Sequence, residues 1–147
     1  METKRYKPLV DKLFLIIFLP IVLLMTALVV ILAFFDASAM IVALITFFFV
    51  LYFLVSPLCG YVELRAETVF IKYGFFLKKE IPYTRVRAVL RERRFYSYSM
   101  MSLKNAFEHV IIKYNSYDDT TVSVVCNDEF ARELSERAGL PVREDLI

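Results

Sequence analysis

From Leu13 to Leu58 the chain carries one charged residue, Asp36. No other feature constrains the fold as strongly. Leu13 to Phe35 is a charge-free run of 23 residues, and Ala37 to Leu58 is a second run of similar length. At 1.5 Å per residue the first spans about 34 Å as a helix, enough for a hydrocarbon core of about 30 Å. With only Asp36 and its small neighbours between them, the two runs must turn straight back as an antiparallel helical hairpin. Pro20 predicts a kink in the first helix and not a break, and Ala39 and Ala43 offer a small-xxx-small face for close packing.

The flanks orient this hairpin. Lys4, Arg5, Lys7 and Lys12 precede it, Arg65, Lys72, Lys78 and Lys79 follow it, and the connecting turn has no basic residue. The positive-inside rule then predicts a multi-pass protein of the cell membrane with two helices and both termini cytoplasmic. Ala37-Ser38-Ala39 also resembles a signal-peptidase site. Against cleavage there, the apolar run is far longer than a signal core of about 7–15 residues, and a second run follows at once. The expected organisation is an N-terminal cytoplasmic segment over 1–12, the hairpin over 13–59, a small domain over 60–140 and a tail over 141–147.

After Gly60 the apolar period changes. Tyr61–Leu64 reads as a short strand, and Thr68–Tyr73 alternates with Val69, Ile71 and Tyr73 on one face. Gly74 supplies a turn, and Phe75–Tyr83 returns as a second arm. Arg85–Leu90 alternates with Val86, Ala88 and Leu90 on one face and Arg85, Arg87 and Val89 on the other. His109–Tyr114 and Thr120–Cys126 follow as strands around the polar turn Asn115–Asp119. Asn127 is a candidate helix cap with Asp128 and Glu129 in the first turn, Phe130, Leu134 and Ala138 make one stripe, and Gly139 with Pro141 stops the helix. The domain reads as about six or seven antiparallel strands closed by one C-terminal helix.

That order resembles the pleckstrin-homology fold. Residues from about Tyr61 to Gly139 are similar to the bacterial YyaB-like pleckstrin-homology domains, often found behind paired membrane helices. The resemblance is carried by Thr68-Val69-Phe70-Ile71-Lys72-Tyr73-Gly74, Lys79-Glu80-Ile81-Pro82, Ser102-Leu103-Lys104, Val110-Ile111-Ile112-Lys113-Tyr114 and Asn127-Asp128-Glu129-Phe130. It implies a β-barrel-like sandwich closed by the helix, and it implies no particular ligand. The fold class expected for the whole chain is thus a membrane α-helical hairpin plus a mainly-β pleckstrin-homology-like domain.

No catalytic constellation is visible. His109, the one histidine, stands beside Glu108 at a strand start without the partners catalysis needs. It reads as a half-exposed strand residue, with pH sensing or ligand contact as the alternative. Cys59, Cys126 and His109 lack metal-ligand spacing, the two cysteines read as reduced thiols, and three glycines cannot build a phosphate loop. No cofactor is expected.

What remains is charge. Lys72, Lys78, Lys79, Arg85, Arg87, Arg91, Arg93 and Arg94 crowd residues 72–94 against only Glu80 and Glu92, whereas the acids concentrate late in the chain. A domain held at the bilayer needs little affinity to use such residues, since each basic group near an anionic surface gains about 1 kcal/mol. By the same resemblance, the basic cluster of phosphoinositide-binding members falls near Lys72, Lys78 and Lys79, though the phosphoinositide motif itself is unmatched. A solvated face with a purely topological role is the competing reading. Nucleic acid is not expected, because the pI of about 8.5 is modest and no aromatic stacking motif accompanies the run. Phe95-Tyr96-Ser97-Tyr98-Ser99-Met100-Met101-Ser102 reads either as an interaction loop, a headgroup-dipping loop or a loop packed over the core. The function expected is a non-enzymatic interaction module whose partners are the bilayer, anionic headgroups, a copy of itself or a membrane protein. The alternative is a small accessory subunit, in transport or peptide immunity, whose helices carry the function.

Overall fold

Asp36 is all that separates the two apolar helices, α1 (Lys12–Phe35) and α2 (Ala37–Val55). In the computed structural model, which describes residues 2–94, 96, 99, 102–104 and 106–145, this one residue caps both. Its backbone N–H donates to the Leu32 carbonyl, and its carboxylate accepts from the backbone N–H groups of Ser38 and Ala39. Half-buried residues along α1 recur at Leu15, Phe18, Val22, Met25, Val29 and Leu32, the alternating three-and-four spacing of a helix seam. Ala39, Met40, Ala43, Phe47, Val50 and Leu54 make the matching seam on α2, so both alanines lie where the helices meet. Many of the other apolar side chains point outward, Leu24 at 72% and Phe35 at 83% exposure. Within the helices, the hydroxyls of Thr26 and Thr46 donate to the carbonyls of Val22 and Val42, so neither polar group depends on water. The helix α1 runs unbroken through Pro20.

Beyond α2 a 3₁₀ turn, Ser56–Cys59, leads into the β domain. Its first sheet has the antiparallel order β1-β2-β3-β4, from β1 (Lys4–Tyr6), β2 (Tyr61–Leu64), β3 (Thr68–Lys72) and β4 (Lys78–Pro82). A 3₁₀ turn at Tyr83–Arg85 then leads to β5 (Val86–Arg93) in a second sheet. With β6 (Ser102–Leu103), β7 (Glu108–Tyr114), β8 (Asp118–Val122) and β9 (Val142–Asp145), that sheet has the order β6-β8-β7-β5-β9. The β7 strand pairs antiparallel with β5 and β8, while β6 on β8 and β9 on β5 are parallel.

The helix α3 (Asn127–Ala138) closes the core, inserting Phe130 and Leu134 among Val62, Ile71, Val89 and Ile112. Each such fully buried side chain is worth about 1.5–3 kcal/mol of transfer energy. The helix ends as its sequence predicts. Gly139 adopts φ +69°, and the Leu140 N–H closes the turn on the Ser135 carbonyl at 2.9 Å.

Several details depart from pattern reading. The segment before the hairpin, expected as a flank of the anchor, supplies β1: Lys4 pairs with Leu64 and Tyr6 with Val62. It continues along the second sheet, where the Leu9 N–H donates to the Ser123 carbonyl and the Val125 N–H to the Lys7 carbonyl, both at 3.0 Å. Both helices therefore leave and re-enter the β domain between two adjacent strands. In β5 the register shifts between Val86 and Ala88, so Val86 and Val89 both face the core and the simple alternation fails. Asn127 does not cap α3. Its side chain turns back, accepting from the Val124 N–H and donating to the Glu108 carbonyl. The polar turn shrinks to Asn115–Tyr117, with Asn115 at φ 50°, because Asp118 and Asp119 pair with Tyr114 and Lys113.

Candidate functional site

The helical hairpin meets the β domain where the β3–β4 connection presses on the end of α2. Glycine is required on both sides of this joint. A Cβ on Gly60 would lie 2.3 Å from the Lys72 carbonyl oxygen, and one on Gly74 would lie 1.6 Å from the Ser56 hydroxyl oxygen. The turn is closed by the Tyr73 N–H donating to the Leu77 carbonyl at 2.8 Å. Below it, the buried Tyr73 hydroxyl shares a 2.5 Å hydrogen bond with that of Thr120, and burial pushes the phenol up to about 12. Above it, Tyr52 of α2 lies 6.2 Å from the Phe75 ring centroid and 6.4 Å from that of Phe76, stacked at 17°. Phe75, Phe76 and Leu77 nonetheless stay exposed, at 48%, 81% and 51%.

On the outer face of the first sheet, charge is arranged in cross-strand rows. In one row stand Arg5, Glu63, Phe70 and Glu80. Both carboxylates there are engaged. Arg5 donates to Glu63 at 2.8 Å, and Arg65 reaches Glu63 at 3.3 Å and Glu80 at 3.2 Å while covering the Phe70 ring at 4.2 Å. Burial pushes the Glu63 carboxyl up, but the bonds from Arg5 and Arg65 outweigh it and hold it below the usual range. The row next to the tip is Tyr61, Lys72 and Lys78. There the Arg5 guanidinium lies 4.4 Å and the Lys72 ammonium 5.7 Å from the Tyr61 centroid. Neither Lys72 nor Lys78 has a carboxylate partner among the described residues, although like charges directly opposite each other are unfavourable.

The other basic residues of the 72–94 stretch go elsewhere. Lys79 points to the opposite face, its ammonium 4.6 Å from the Tyr114 ring centroid. Arg85 sits in the 3₁₀ turn and Arg87 at the register shift of β5, both exposed. Arg91 pairs with Asp128 at the start of α3. Arg93 lines a cleft of about 370 Å³ at the start of α1, with Leu9, Lys12, Phe107 and Glu108. Arg94 donates to Glu92 at 2.8 Å. The fold thus brings Lys72 and Lys78 together beside the tip and disperses the other six.

His109 corrects a second expectation. It is 1% exposed, not half-exposed, with one ring nitrogen 3.0 Å from the Phe107 carbonyl and the other 3.1 Å from the Glu92 carboxylate. Burial and the nearby Lys104 ammonium hold its pKa below the ordinary value. Lys104 itself donates to the carbonyls of Arg94 and Tyr96, and burial lowers it to about 8. These groups tie the segment after β5 to the sheet. They place no nucleophile beside a base.

Among the described residues no three His, Cys, Asp or Glu side chains gather around a metal site, and both cysteines are free and exposed. Of the Phe95–Ser102 stretch, Phe95, Ser97, Tyr98, Met100 and Met101 lie outside the described residues. Within it, Ser99 bonds Asp119 and Thr121 on the second sheet, both at 3.0 Å. Sequence reading missed the tip because it ran Phe75–Leu77 into a strand arm. The available signal was three consecutive apolar residues after a turn glycine, which no alternating strand can hide. Among the described residues the arrangement sets an exposed apolar tip beside two lysines that face each other across β3 and β4.

A family model described as Bacterial PH domain matches residues 59–138, more than half of the chain. Comparison with curated proteins finds no match.

Proposed function

Because the chain belongs to the bacterial PH domain family, we propose that it is a non-enzymatic interaction module held at the cytoplasmic face of the cell membrane by a two-helix anchor. One observation carries this reading: β1 and β2 are neighbours in one sheet although α1 and α2 stand between them in the chain. Both ends of the hairpin return to one domain, so the number of crossings is even. A zero count would leave the outward apolar faces of both helices in water. Leu15–Phe35 of α1 has a mean hydropathy of 3.2 with none of it buried in the protein. The α2 helix is 19 residues long, about 28 Å, close to the core thickness.

Basic residues at both hairpin ends favour the cytoplasmic side for the domain. Cleavage after Ala39 would discard β1, which argues against a signal peptide. The paired helices ahead of the matched region support the YyaB-like assignment. Of the eight basic residues from Lys72 to Arg94, Lys72 and Lys78 face each other beside the exposed tip, which supports contact with anionic headgroups at about 1 kcal/mol each.

Topology is tested by thiol labelling in a background where Cys59→Ser and Cys126→Ser remove the exposed native thiols. A membrane-impermeant maleimide should label Ser38→Cys, in the first turn of α2 beside Asp36, on intact cells. It should label Ala66→Cys, in the β2–β3 turn, only after lysis. Labelling of position 66 on intact cells, or of both positions only after lysis, refutes the arrangement.

A further inference from the structure

The exposed tip between β3 and β4 lies within the matched residues 59–138 and packs only in part against α2. We infer that Phe75, Phe76 and Leu77 insert into the headgroup–hydrocarbon boundary of the bilayer that α1 and α2 cross, with Lys72 and Lys78 meeting anionic headgroups beside them. This inference rests on the anchoring reading. Three consecutive apolar side chains at a β-turn facing water are unfavourable, since such tips are ordinarily polar. The tip is also held in place. Gly74 packs on Ser56, Tyr73 closes the turn on Leu77 and bonds Thr120 beneath it, and Phe76 stacks on Tyr52.

That last contact sets the level of the tip. Tyr52 lies in the last turns of α2, about 5 Å along the axis from Val55, where the helix ends. The tip is therefore continuous with the end of a membrane-crossing helix, at the depth where aromatic side chains are favoured. An interfacial apolar group typically reaches about 5–10 Å into the boundary.

The charges agree. The next row back is neutralised by Arg5–Glu63 and by Arg65 with Glu63 and Glu80, whereas Lys72 and Lys78 face each other without a carboxylate partner among the described residues. Anionic headgroups relieve that repulsion. The consequence is a third attachment point. Two helices fix where the domain is, and the tip fixes which way it faces.

The chain contains no tryptophan, so one introduced residue reports alone. The full chain is reconstituted into vesicles of mixed anionic and zwitterionic lipid with bromines at both shallow and deep acyl positions. Three variants are compared: Leu24→Trp in the outward face of α1, Phe76→Trp at the tip, and Ala66→Trp at the far turn of the same sheet. The proposal expects bromine quenching and a blue shift for L24W and F76W, and neither for A66W. Adding Lys72→Gln and Lys78→Gln should reduce F76W quenching in anionic vesicles and leave it unchanged in purely zwitterionic ones. If L24W is quenched but F76W behaves like A66W, the anchor stands and the tip inference falls, a protein partner becoming its occupant. If L24W is not quenched, the anchor fails and the inference with it. F76W quenching that ignores both lysine changes in anionic vesicles refutes the assignment of Lys72 and Lys78.

Discussion

His109 shows how burial makes one side chain register acid. Its pKa is held below the ordinary 6.5 by burial and by Lys104, against the pull of Glu92. Below pH 6.5 the unfolded chain takes up a proton that the folded one resists, so stability is full above that value and is lost as pH falls through the folded value. The melting temperature of the chain in detergent should therefore drop between pH 7 and 5. His109→Gln, which cannot titrate, should flatten that slope, and an unchanged slope would show that another group carries it. Glu63 contributes separately, because its depressed carboxyl loses stability only below about 4.5. The sequence showed a lone histidine at a strand start. It could not show that the ring is buried, with Glu92 of the neighbouring strand bonded to it and the charge of Lys104 acting on it.

Strand β1 and helix α3 form a clasp between the two ends of the chain. Lys4 bonds Glu133 at 3.2 Å, and the Tyr6 ring meets Phe130 edge-on at 5.2 Å. Arg137, nearly buried, donates to the carbonyls of Leu64 and Arg65 at the end of β2 and to that of Glu2 beyond β1. Arg137→Ala should cost about 2 kcal/mol, within the range for hydrogen bonds from a charged donor. Hydrogen exchange should show the loss first at Lys4–Tyr6, whereas uniform acceleration across both sheets would mean that α3 holds the whole core instead. Strands β2, β3, β4, β5 and β7, and α3 itself, were legible in the chain because each carries enough residues to show a period. Strands β1 and β6, with three and two residues, are too short to show one. The register shift in β5 is invisible to a pattern that assumes strict alternation.

At the scale of the molecule, the apolar helical hairpin is an insertion between two paired strands of a β domain. Replacing Asp11–Leu58 with a flexible linker of about eight residues, which spans the 8–10 Å between packed helices, should therefore yield a soluble folded domain. The fragment from Gly60 onward lacks β1 and leaves Phe130 without Tyr6, so it should melt at a lower temperature than the linked chain. Equal melting temperatures would show β1 to be dispensable. The amino-acid sequence alone determined two apolar helices, a tight turn at Asp36, and a strand-rich domain closed by an amphipathic helix. Those follow from hydrophobic length and period, which are local properties of a chain. Only the tertiary structure decided that Lys4–Tyr6 belongs with the β domain, that Lys72 and Lys78 meet while six other basic residues part, and that Phe75 and Phe76 lie against Tyr52 of α2. Strand register and the packing of one element on another join residues far apart in the chain, and no local pattern records them.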